Sequence, residues 1–145
     1  MTSRDWTLLA IASATPQAVQ PVQLQKSLFL LGRNLSPAQL GVAQFYEFAA
    51  YDYGPFCSSI YQDAEQLERE GLVTIRRPPL TRFNQYSATA EGMLRAEALR
   101  ANAPKRASKY LEAVVTWVQA LSFDQLVSAI YTAYPDMKEN SVFHR

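Results

Sequence analysis

The chain has 145 residues, 48% of them hydrophobic and 12% aromatic, and a formal net charge of +1. That composition supplies one buried core and excludes an intrinsically disordered polymer. No apolar run approaches the ~20 residues that cross a bilayer, and the single cysteine, Cys57, excludes an intrachain disulfide.

The segment from Met1 to Ala12 lacks the sustained apolar region and cleavage signature of a secretory signal, so the expected location is the cytoplasm, with no membrane partner. Charge is unevenly spread. Residues 1–71 carry four basic side chains against seven acidic ones, and the remainder carries ten against six. The positive half begins at Arg76.

In chain order, Asp5 to Ala14 predicts a first helix, with Trp6, Leu9, Ala10 and Ser13 at helical spacing. Val22 to Gly32 predicts a second, well-buried helix. Ser36-Pro37-Ala38-Gln39 has the form of a capping box opening a short third segment. Gln44 to Tyr53, dense in aromatics and bounded by Gly54-Pro55, predicts a strand. Pro55 then opens a helix to about Glu70, with Cys57 in its first turn as a small, partly buried residue.

Leu72 to Arg77 and Phe83 to Ala88 predict a hairpin with a proline-containing tip. Thr89 caps a helix from Ala90 to Ala101, for whose burial Met93, Leu94 and Leu99 are available. After the polar break at Asn102 to Arg106, Tyr110 to Leu121 predicts an amphipathic helix. Ser122-Phe123-Asp124-Gln125 caps a last one that ends at Pro135. The expectation is a mostly α (α+β) chain: a winged helix-turn-helix over residues 1–101, with a helical extension over 102–145. That extension packs back, filling gaps with Trp117 and Phe123, or serves a homodimer.

Three local patterns resemble known proteins. Leu24-Gln25-Lys26 followed by Ser27-Leu28-Phe29 is similar to the Leu-Gln-Lys helix of Panacea-domain proteins. Tyr53-Gly54-Pro55-Phe56, followed by Ile60-Tyr61, is similar to their Tyr-Gly-Pro segment. Tyr86-Ser87-Ala88-Thr89-Ala90-Glu91-Gly92 resembles the closure after the wing in winged-helix regulators, with Ala88 replacing a larger apolar residue. The tail Ile130 to Asp136, with Asn140-Ser141, resembles small winged-helix proteins related to these and taken to be DNA-binding regulators. The resemblance implies a binding role, either as an antitoxin against a toxin protein or as a DNA-binding regulator.

Catalytic chemistry has little to stand on. His144, the only histidine, sits next to the last residue, with no thiolate partner fixed by Cys57. No metal site and no cofactor are expected, and the five glycines are dispersed as helix stops and turns. Arg76, Arg77 and Arg82 form the most suggestive cluster, because no acidic residue lies between Leu72 and Ala90. They suit a phosphate backbone or a minor groove, or else keep an exposed hairpin soluble.

Ser58, Ser59 and Gln62 are the candidate groove contacts on double-stranded DNA. The rest of that helix is acidic, and Asp63, Glu65 and Glu68 are the candidate contacts of the alternative, a protein-binding module. Lys26, on an otherwise buried helix, either reaches solvent or pairs with Asp52 or Glu47.

Overall fold

The computed structural model describes residues 1–143; His144 lies outside the described residues. Helix α1 spans Ser3–Ser13 and opens on a capping box. Thr2 Oγ1 accepts from Asp5 N at 3.3 Å, and Asp5 Oδ2 accepts from Thr2 N at 2.9 Å. That reciprocal pair starts the helix two residues before Asp5. Helix α2 spans Pro21–Asn34, and the short α3, Pro37–Leu40, is opened by the Ser36–Gln39 box expected for it.

The aromatic segment is not one strand. Residues 44–48 are irregular, and Ala49–Tyr51 (β1) pairs antiparallel with Gly54–Phe56 (β2) around Asp52 and Tyr53. The reason lies in how each aromatic is anchored. Phe45 lies over Gly32, where an added Cβ would meet its ring at 2.6 Å. Tyr46 reaches Thr7 and Asp63, and Phe48 meets Phe29 edge-on at 5.5 Å. Such divergent directions break the alternation that a strand requires.

Pro55 lies in β2 and not at a helix start. Helix α4 spans Ser58–Arg69 because Cys57 is held extended at its N-cap. There Gln25 Nε2 donates to Cys57 O and Cys57 N donates to Gln25 Oε1, both at 2.9 Å. Cys57 is thus a buried cap residue, outside the first turn.

Strands β3 (Val73–Arg76) and β4 (Gln85–Ala88) form the second antiparallel hairpin, with Arg76 opposite Gln85. A bridge from Val19 to Tyr86 attaches the connector before α2 to the open edge of β4. Helix α5 spans Ala90–Asn102, α6 Lys105–Gln119 and α7 Phe123–Ala133, followed by a short 3-10 turn over Pro135–Lys138.

One core cluster joins α1, α2 and α4 to Ala107, Leu111 and Val115 of α6. Trp6 is fully buried within it and donates through Nε1 to Leu40 O at 3.0 Å. A second cluster joins Phe29 and Leu30 to Val114, Val118, Leu126 and Ile130. Trp117 and Phe123 do not fill gaps: they are 43% and 38% exposed. Leu94, expected to be available for burial, is 68% exposed, because α5 turns Gly92 and Ala96 inward. Among the described residues, no helix is long and apolar enough to cross a membrane.

Candidate functional site

The base of the β3–β4 hairpin is fixed by backbone proximity. A Cβ on Gly92 would lie 1.9 Å from Leu72 O, so only glycine lets α5 approach the strand this closely. Thr89 Oγ1 donates to Gly71 O at 2.7 Å and accepts from Gly92 N at 3.0 Å. The Thr89 to Gly92 pattern is therefore the clamp that sets the hairpin's angle. At the other end, Thr81 N donates to Pro78 O at 3.2 Å, closing a turn that carries Leu80 at φ 66° and fully solvent-exposed.

Arg76, Arg77 and Arg82 are all exposed on this hairpin. None of the three forms an ion pair among the described residues. Ser58, Ser59 and Gln62 are exposed on the first turns of α4. Ser58 and Ser59 edge an open groove of about 920 Å³ bounded by the start of α1 and the irregular 42–47 segment.

The carboxylates of α4 have different partners. Asp63 Oδ2 accepts from Tyr46 OH at 2.5 Å, and Tyr46 in turn bonds Thr7 at 2.7 Å. Burial and that carboxylate hold the Tyr46 phenol well above its ordinary pKa. Glu68 Oε2 accepts from Ile75 N at 2.9 Å, satisfying a donor on the outer edge of β3. Glu65 is exposed.

The Leu-Gln-Lys and Tyr-Gly-Pro patterns meet in space. Leu24 is core, Gln25 pins Cys57, and Lys26 Nζ donates to Pro55 O at 3.3 Å. Gly54, at φ +102°, packs over the Lys26 stem, with a built Cβ 3.6 Å from Lys26 Cε and 3.2 Å from the Tyr131 ring. Lys26 is 4% exposed, and neither Asp52 nor Glu47 pairs with it. Desolvation lowers its pKa from 10.5 to about 8. The reading that it reaches solvent or finds an acid is thus corrected: among the described residues its hydrogen-bond partner is a backbone carbonyl.

Residues 140–142 strap the same hairpin from outside. Asn140 Nδ2 donates to Ala50 O at 3.2 Å, and Val142 N donates to Asp52 O at 2.9 Å. Compared with known proteins, the chain matches no family model and no curated sequence.

Between the two hairpins lies a feature that the sequence reading missed, an apolar cavity of about 680 Å³. Arg82 and Phe83 of the β3–β4 loop line it from one side, and Tyr53 and Phe56 of the first hairpin from another. Tyr61 of α4 and Lys26 of α2 line it as well. The returning limb of the basic loop, Arg82 and Phe83, thus shares a cavity with Tyr61 of α4, whereas Ser58 and Ser59 edge the other groove and Gln62 lines neither. The sequence signal was an apolar helix interrupted by one lysine, followed by an aromatic segment whose residues do not alternate cleanly. No group of three metal-ligating side chains exists among the described residues.

Proposed function

We propose that the chain is a non-catalytic winged-helix regulator that binds double-stranded DNA. The contacts are Arg76, Arg77 and Arg82 on phosphates and Ser58, Ser59 and Gln62 at base edges or sugars. The order α1, Val19 bridge, α2, α4, β3, β4 supports the winged-helix reading, with α3 and the first hairpin inserted before the third long helix. The observation that carries the DNA reading is the shared cavity wall. Arg82 and Tyr61 line one cavity, which puts the basic loop near the first turn of α4, and Ser58 and Ser59 edge the second groove, which shares Tyr51 and Phe56 with that cavity.

The net charge of α4 stays negative, so the phosphate contacts fall to the hairpin arginines and not to this helix. Asp63 faces Tyr46 and Glu68 caps the β3 edge, which occupies two carboxylates within the fold.

The test is fluorescence anisotropy of a short random-sequence duplex across a salt series. Each phosphate neutralised contributes about −0.9 to the slope of log K against log salt, so R76A/R77A/R82A should flatten it by up to ~2.7. An unchanged slope and affinity would remove the hairpin from the interface.

The second reading is a Panacea-like module that neutralises a toxin protein through α4. Asp63 and Glu68 already have intramolecular partners, so that reading rests on Glu65. Its clean variant is Glu65→Lys alone, because reversing Glu68 also strips Ile75 N of its acceptor.

A further inference from the structure

We propose that the cavity between the two hairpins is a binding site for a small aromatic monocarboxylate, seated with its carboxylate on Lys26. This goes beyond the DNA reading and does not depend on it.

The cavity, about 680 Å³, falls in the size range of small-molecule sites and has mostly apolar walls. Tyr51, Tyr53, Phe56, Tyr61, Phe83 and Phe123 surround it, and these rings present flat faces and edges to a planar guest. Tyr51 and Phe56 stack at 5.0 Å, and Tyr53 meets Phe123 edge-on at 5.3 Å, so several walls are held by one another.

The charge inside it is unbalanced. Lys26 lines the cavity while 96% buried, as its 4% exposure states. Its ammonium carries three N–H donors and has one recorded bond, 3.3 Å to Pro55 O. No carboxylate of the described residues forms an ion pair with it. A buried cation lacking an anion is an expensive arrangement, and an anionic guest supplies the missing partner together with two acceptor oxygens.

The rim sets the guest's charge. Arg82 and Asp52 are both exposed lining residues and offset one another, which leaves the Lys26 charge as the net excess. A single negative charge matches that excess, whereas a phosphate or dicarboxylate brings more charge than the site can neutralise. Gln25, also on the lining, holds Cys57 at both ends of its amide and keeps one further N–H donor.

A guest here would touch Arg82 and Phe83 together with Tyr61. It would therefore restrain the basic loop against the start of α4, which makes it a candidate effector of whatever that end of the molecule binds.

The experiment is isothermal titration calorimetry on the full chain, without DNA, using 2-naphthoate and its uncharged counterpart 2-naphthamide. The expected result is at least tenfold tighter binding of 2-naphthoate by the native chain and loss of that preference in Lys26→Met. Tyr53→Ala, at an exposed rim position, should weaken both probes several-fold without changing the melting temperature. Equal affinity for the two probes, no heat with either, or a preference that survives Lys26→Met would each overturn the proposal.

Discussion

Replacing Lys26 by methionine should stabilise the protein at neutral pH. The ammonium is 4% exposed and its recorded bond is one of 3.3 Å to Pro55 O. Burial pushes its pKa from 10.5 down to about 8. Each tenfold loss in proton affinity corresponds to about 1.4 kcal/mol, so the folded state carries a penalty of about 3 kcal/mol at pH 7. The sign follows from the direction of the shift. The unfolded chain holds the proton more tightly, so the penalty is complete below pH 8 and fades as pH rises towards 10.5.

Methionine keeps the apolar stem and removes the charge, at the expense of the bond to Pro55 O, worth about 1 kcal/mol. The net gain is about 1–2 kcal/mol, or a rise of about 4 °C in melting temperature for a chain of this size. Thermal denaturation followed by circular dichroism at pH 7 measures it directly. A fall of several degrees would refute the reasoning, because it would mean that the ammonium stabilises the folded chain.

In urea titrations, native stability should rise between pH 8 and pH 10 as the Lys26 penalty is relieved, and this rise should be absent from Lys26→Met. Above pH 10 the trend should reverse, because burial holds the Tyr61 phenol up at about 12 while the unfolded phenol ionises near 10. Gly92→Ala places a methyl group 1.9 Å from Leu72 O, a backbone atom that cannot step aside. It should lower stability by about 3 kcal/mol, and a midpoint within error of the native one would show that α5 shifts freely.

The sequence was most informative where one local interaction decides the outcome. Ser36 with Gln39 and Ser122 with Gln125 close the two capping boxes that their spacing announces. The β3–β4 hairpin, its proline tip and its exposed arginines were legible for the same reason. Residues 44–56 were not, because what shapes them lies far away in sequence. Gly32 takes Phe45, Thr7 and Asp63 together take Tyr46, and Phe29 takes Phe48, each in a different direction, while Gln25 holds Cys57 extended from 32 residues away.

Residues Asp63 and Glu68 illustrate the same limit at the candidate site. As letters they are two acids on one helix, but their partners, Tyr46 and Ile75 N, are supplied by tertiary packing. The cavity above Lys26 needs four separated segments to close, and no window of sequence contains them.

The most direct test of the DNA reading is a two-dimensional amide NMR titration of the chain with a short duplex at low salt. The account predicts shifts concentrated in residues 76–84 of the basic hairpin and 58–62 at the start of α4, shrinking as salt is added. A spectrum unmoved by DNA, or one that moves only over α6 and α7, would contradict it.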